Sequence, residues 1–533
     1  MKKLGTYLIE ALAAQGVQHV FGIPGVHNLE LYRGLARGPI RHVTGRHEQG
    51  LGFMADGYAR VSGQPGVCFT ITGPGLTNIA TAMGQAYGDS IPLLVISSQN
   101  RQGESGSGCG FLHELPDQKT LASGVSAASF AISTPAELPG ALTKAFARFA
   151  SARPRPVYIE IPLDVLAQDA SGLALPERAP VATAAAPALI QSAAARLRTS
   201  ARTVILAGGG AVRAATELRR LAELLDAPVV MTANARGILP AGHPLAVPIS
   251  PMLVPVRALV SAADTVVAVG TEIGPTDYSI DLRADFPQPQ AMIRIDIDPE
   301  QLTRGAQPLI RLCGDARATL GALEALDLGA QRRGDGAARA AATRSAGLDA
   351  VHKFSAPLAR HIGVLDLIRD TLPNAVMVGD STQWVYAGNL GFNVTTPGAW
   401  FNSATGYGTL GYAVPASTGA SLAAPDRPIV CLVGDGGLQF TLSELAVLRD
   451  VNAWTAVIIW NNHGYGEIRT WMLAAGIEPE GVEVDPPDFS HIARAYGHPY
   501  RRITSQFDLR VALKEFGGQR QAVILEVVAE EFV

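Results

Sequence analysis

Asp435 and Asn462 lie 27 positions apart, each just beyond an apolar run. The first run, PIVCLV, stops at Gly434-Asp435-Gly436-Gly437; the second, TAVIIW, stops at Asn461-Asn462. Runs that are apolar throughout are typical of strands buried on both faces of a parallel sheet. Both polar ends then fall at the carboxyl edge of one sheet, where open α/β sheets bind ligands. The glycines let a ligand approach the backbone. The following TLSELAVLRD opens on a hydroxyl residue and keeps helical spacing, which predicts a helix whose first amides face an anion. One acid, one amide and exposed loop carbonyls form an oxygen-only donor set, which suits magnesium and, through it, a diphosphate. A Gly-Asp turn alone is ordinary turn chemistry; the second polar pair, the two strands and the spacing make it a cradle.

Composition bounds the rest. A chain of 533 residues, 47% of them hydrophobic, supports about three domains with large cores. The net charge of −4, with both signs dispersed, offers neither a basic stripe for nucleic acid nor a polybasic membrane patch, so small molecules are the expected partners. Cys68 and Cys431 sit in apolar runs and read as core thiols; neither these nor Cys109 and Cys313 have CxxC spacing, which points to a reducing compartment. MKKLGTYLIEALAAQGV reads as an amphipathic first helix rather than a leader, because Glu10 and Gln15 interrupt it and no small-residue cleavage site follows. No stretch has the length of an uninterrupted apolar span. A cytoplasmic protein is expected.

Three α/β blocks position these residues. Residues 1–172 repeat strand, turn and helix, with Glu48 in the first turn of a helix, where a carboxylate complements the dipole. Residues 188–330 follow an Ala/Pro-rich linker and alternate strands with helices again; Gly208-Gly209-Gly210 lacks the GxGxxG pattern and its acidic partner, so tight turning explains it. Residues 350–533 hold the cradle, the segment ATGYGTLGYAVPASTGA, and GDSTQW, whose Ser381, Thr382 and Gln383 either contact an anion or begin a capped helix.

The GDG…NN spacing resembles the thiamine diphosphate signature, and GIPG, RHEQG, ADGYAR, ITGPGLTN and DSIPLLVISS resemble the pyrimidine-binding domain of acetolactate synthase-like thiamine diphosphate enzymes. The resemblance covers all three blocks. It implies an α/β fold of three doubly wound parallel-sheet domains: pyrimidine-binding, central and diphosphate-binding. It also implies cofactors clamped between chains, hence at least a homodimer, with a homotetramer expected. Thiamine diphosphate and Mg2+ would be held by Gly434, Asp435, Gly436, Gly437, Asn462 and Gly464, the metal by Asp435, Asn462 and Gly464, with Ser381, Thr382 and Gln383 as further diphosphate contacts. Glu48 would assist tautomerisation of the cofactor's aminopyrimidine. Leu410 would wedge the cofactor into its bent form, and the Gly408 carbonyl would accept its amino group.

The substrate implied is a 2-oxo acid. His113, in GCGFLHELPDQ, resembles a decarboxylase loop histidine, with Glu114 beside it; His27 and His463 are further proton-transfer candidates, while Ile71 stands where benzoylformate decarboxylases carry histidine. FAD is not expected, because the segment after His243-Pro244 and the later TEIGPTDYS depart from the flavin-binding pattern. GIPGVHNLELYRGL, HELPDQ and TDYS resemble the branch that decarboxylates 5-guanidino-2-oxopentanoate, whose cationic tail Glu114, Asp277 or Glu467 could meet. An acetolactate synthase-type carboligase and a non-catalytic cofactor-binding protein are the alternatives.

Overall fold

The computed structural model describes residues 1–278, 286–287, 289–329 and 334–532. The expected boundary at residue 330, the terminal residue 533 and Ser279 of TDYS lie outside them. The apolar runs form three six-stranded parallel sheets. The first contains β1 (His19–Gly22), β2 (Arg41–Thr44), β3 (Gly66–Thr70), β4 (Leu93–Gln99), β5 (Ala128–Ala131) and β6 (Val157–Pro162), in the order β2-β1-β3-β4-β6-β5. The second contains β7 (Thr203–Ala207), β8 (Val229–Met231), β9 (Ala246–Val247), β10 (Thr265–Val269), β11 (Met292–Asp296) and β12 (Ile310–Cys313), in the order β12-β11-β10-β7-β8-β9. The third contains β13 (Val376–Gly379), β14 (Trp400–Asn402), β15 (Ile429–Gly434), β16 (Thr455–Asn461), β17 (Tyr500–Ile503) and β18 (Val523–Val528). In the first sheet the chain adds β2 on one side of β1 and then crosses to β3 on the other, which opens a switch-point crevice beyond Gly22 and Thr70.

The chain forms two compact units. The first comprises Met1–Val181, Gly406–Arg502 and Gln519–Ala529; the second comprises Ala182–Thr405, Ile503–Gly518 and Glu530–Val533. Within the first, helix Glu48–Ser62 packs on helix Ala413–Ala423 backbone to backbone: a Cβ on Gly57 would strike the Ala416 carbonyl, and one on Gly419 the Met54 carbonyl. A buried network braces that contact. Arg60 donates to Asp56 at 2.7 Å and to Asp89 at 2.6 Å, the Tyr412 hydroxyl donates to Asp56, and Gln85 donates to Asp89 at 2.9 Å. Breaking such a buried pair costs about 3–5 kcal/mol, since the remaining charge stays uncompensated. Cys68 and Cys431 are buried, whereas Cys109 and Cys313 are exposed. No described helix is long and apolar enough to cross a membrane.

The helix expected at Thr441 begins earlier, at Asp435, directly after β15. It runs Asp435–Gln439, breaks, and resumes through a short 3-10 turn, Leu442–Glu444, into Leu445–Asp450. Thr441 does not cap it; its hydroxyl donates instead to the Gly411 carbonyl at 2.7 Å, a tertiary partner that outcompetes the local one.

Candidate active site

β15 and β16 pair in parallel with Gly434 opposite Trp460, which brings Asp435 and Asn461-Asn462 together at one sheet edge. Asp435 is buried, and its two oxygens accept the amides of Asn462 at 3.4 Å and Gly464 at 2.8 Å. Burial pushes its carboxyl above the ordinary aspartate range, opposed by those amides. Gly464 has φ +133°, and a Cβ there would meet the Val482 carbonyl, so only glycine fits. The inner atom of the Asn462 amide lies 3.1 Å from Asp435 Oδ1 and 2.9 Å from the Gly464 carbonyl. With nitrogen inward the amide hydrogen-bonds both; with oxygen inward, three oxygens converge on one point, a donor set that fits a hard divalent cation. Gly436 lies under the Tyr465 ring, where a Cβ would be 2.7 Å from the nearest ring carbon, and Gly437 is buried in the short helix.

Behind this turn sit residues that the sequence did not single out. The Asn461 side chain donates to Glu526 at 2.7 Å and accepts the His463 amide at 3.2 Å, while the Tyr500 hydroxyl holds the other Glu526 oxygen. His463 itself is exposed, with φ +60°. Gly408 has φ +78°, and half-buried Leu410 follows it, just before Gly411, which the Thr441 hydroxyl ties down.

Glu48 is the first residue of its helix, after His47, whose ring nitrogen accepts the Gln49 amide. Its carboxyl is half-buried and accepts from Asn78 at 2.9 Å, on helix Pro74–Gly88. Asn78 stands in the last position of ITGPGLTN, and only the packing of the two helices reveals its role. Glu444, fully buried, accepts the Arg46 and His47 amides at 2.9–3.2 Å. Its signal was an acid on the apolar face of TLSELAVL.

A third cluster fills the switch-point crevice of the first sheet. The His27 and His113 rings lie 5.0 Å apart, and the Nδ1 atom of each is buried without a hydrogen-bond partner. Burial, then the neighbouring His113, pushes His27 below the usual histidine range, opposed by Glu104. Asn28 pins the loop after β1 by accepting the Gly25 amide at 2.7 Å and donating to the Ile23 carbonyl at 2.9 Å. Ile71 packs beside Gly25. The Asn100 amide holds the Leu112 carbonyl at 2.9 Å, and Gln118 accepts the Gly73 amide at 2.8 Å. Glu114 is turned onto its own loop, where it takes four groups between Ser107 and Phe111, which hold its carboxyl below the ordinary glutamate range. Glu467 is engaged by Trp471 one helical turn on.

In the second unit, Thr382 precedes helix Gln383–Gly391 without capping it through its side chain, and Ser381 faces Ser403 at 3.3 Å. Asp277 is half-buried, in the short helix Pro275–Tyr278. The Gly208 and Gly210 amides are taken by the Val269 and Gly270 carbonyls, each at 3.0 Å. His243 is paired with Glu223 at 3.2 Å.

Comparison with known proteins gives this geometry a family. The N-terminal thiamine pyrophosphate-binding domain model matches residues 2–121, the central-domain model residues 190–323, and the C-terminal thiamine pyrophosphate-binding domain model residues 377–527. The chain is 45% identical to probable 2-ketoarginine decarboxylase AruI of Pseudomonas aeruginosa, over 98% of this chain and 93% of that one. It is 32% identical to acetolactate synthase isozyme 1 large subunit of Escherichia coli, over 98% and 93%, and 31% identical to a probable acetolactate synthase large subunit of Methanocaldococcus jannaschii, over 98% and 91%. A sheet-edge cradle, a helix-borne glutamate and matches along nearly the whole chain lead to one conclusion: the protein belongs to the thiamine pyrophosphate-dependent enzymes.

Proposed function

We propose that the protein is a thiamine diphosphate- and magnesium-dependent decarboxylase that takes up one proton and converts 5-guanidino-2-oxopentanoate, also called 2-ketoarginine, to an aldehyde and carbon dioxide. The observation that carries this reading is the 45% identity to a probable 2-ketoarginine decarboxylase along 98% of the chain, against 32% for an acetolactate synthase. When bound, the cofactor would supply a ring carbon that is nucleophilic once deprotonated and an electron sink for the decarboxylation of a 2-oxo acid. Asp435, Asn462 and the Gly464 carbonyl would hold magnesium, and Gly434, Gly436 and Gly437 would leave room for the diphosphate; Ser381, Thr382 and Gln383 are the further expected diphosphate contacts. Glu48 holds the proton exchanged with the pyrimidine ring. Gly408 would offer its carbonyl and Leu410 its side chain to the bound cofactor. His113, with His27 against it, delivers the proton that the aldehyde carbon receives, since imidazole gives and takes protons near neutral pH.

The assembly we propose is at least a homodimer, with a homotetramer expected, in the cytoplasm; the domains are 1–172, 188–330 and 350–533, and no flavin is bound. Product analysis with 5-guanidino-2-oxopentanoate and with pyruvate, using the protein and His113→Ala, tests the reading. The expected result is aldehyde from the guanidino acid, with turnover about 100-fold lower in the variant. Faster conversion of pyruvate to acetolactate overturns it in favour of the carboligase.

A further inference from the structure

The carboxyl of Glu444 is fully buried, yet the described residues give it no cation within ion-pair distance; it accepts the backbone amides of Arg46 at 3.1 and 3.2 Å and of His47 at 2.9 Å. These amides belong to the turn that opens helix Glu48–Ser62. The slot is built for the carboxyl: a Cβ on Gly50 would collide with it, and one on Gly45 would lie 3.7 Å away. The charged and titratable groups around it are Arg46, whose guanidinium is bound to Asp450 and the Thr44 carbonyl, together with His47 and Glu48. A glutamine could meet the same two amides with its oxygen; what the acid adds is a titratable group whose charge burial penalises.

We infer that Glu444 is a positioning residue for Glu48: its carboxyl fixes the Arg46 and His47 amides at the start of the helix that carries Glu48, so its protonation state is transmitted to Glu48. The inference rests on the role of Glu48 in cofactor activation stated above. Burial raises the Glu444 carboxyl to about 7, opposed by the two amides and by Arg46 and reinforced by Glu48. The ionised form is the stronger acceptor for the two amides. In this slot desolvation outweighs that gain, so the helix start is held less firmly above about pH 7 than below it. The stability linkage has the same sign: a raised acid contributes most below its ordinary value of 4.5, and that contribution is lost as pH rises through about 7.

The test compares the full-length protein with Glu444→Gln. In the protein without cofactor, hydrogen exchange of the segment 45–50, corrected for intrinsic rates, is expected to speed up about fivefold as pH rises through the carboxyl's titration, and to show no such step in the variant. With cofactor, the rate of proton exchange at the thiazolium carbon is expected to fall through the same pH range, a limb that Glu444→Gln flattens while cofactor affinity stays within about twofold. Gly50→Ala, which crowds the carboxyl without changing it, is expected to remove the fivefold step as well, and it serves if Glu444→Gln does not fold. Identical pH profiles in wild type and both variants overturn the inference. The exchange step requires no substrate, so it stands or falls separately from the choice of 2-oxo acid.

Discussion

Two glycine-rich turns follow interior strands of parallel sheets, and they have opposite fates. After β7, the Gly208 and Gly210 amides are consumed by the Val269 and Gly270 carbonyls, and the backbone of Gly270 packs so closely on Gly210 that neither admits a Cβ. After β15, the chain leaves a carboxylate, an amide and a carbonyl converging, with glycine at 464 because the next strand-like segment crowds it. The lesson is that glycine after a strand marks close approach, and what approaches is decided elsewhere. In one turn it is the protein's own backbone. In the other it is, on the function proposed above, a group that the oxygens would bind.

The contrast breaks most visibly at Asp435. Asp435→Asn removes the only carboxylate of the oxygen cluster and should weaken thiamine diphosphate binding in magnesium by about 100-fold or more; an unchanged affinity by calorimetry would mean that the turn after β15 is no more a site than the turn after β7. Glu48→Gln should leave binding intact and slow proton exchange at the thiazolium carbon about 100-fold, read by deuterium quench. A wild-type exchange rate removes Glu48 from the chemistry while leaving the cradle.

The plugged turn predicts a loss of another kind. Gly270 has φ +54°, and Gly270→Ala forces a Cβ onto Gly210, so thermal unfolding should show a loss of about 2 kcal/mol or more, with cofactor affinity unchanged. Flavin bands co-purifying with the wild-type protein would show that this turn binds a nucleotide after all. The smallest effect is expected from Thr441→Val, which deletes the 2.7 Å hydrogen bond to Gly411 beside the cradle. About 1 kcal/mol of stability should go, since one buried acceptor loses its partner; a cofactor affinity lowered tenfold instead would make that bond part of the site.

The local chemistry of the strands was legible from the residues alone. PIVCLV and TAVIIW are long enough and apolar enough to be interior strands, and their polar ends had to emerge at a common edge, so Asp435 and Asn462 could be paired before any coordinates. Glu48 was legible as a helix-opening acid for the same reason: strand, turn and helix are written in short-range spacing. The partners of these residues were not. Asn78 reaches Glu48 across 30 residues, and Glu444 reaches Arg46 across 398, contacts set by which helices pack together. The early helix start at Asp435, the choice of Gly411 by Thr441 and the filling of the Gly208 turn by Gly270 belong to the same class. Strand burial and turn chemistry act over a few residues and leave a local pattern, whereas the satisfaction of a buried carboxylate or amide depends on whichever distant group the folded chain brings within 3 Å or so.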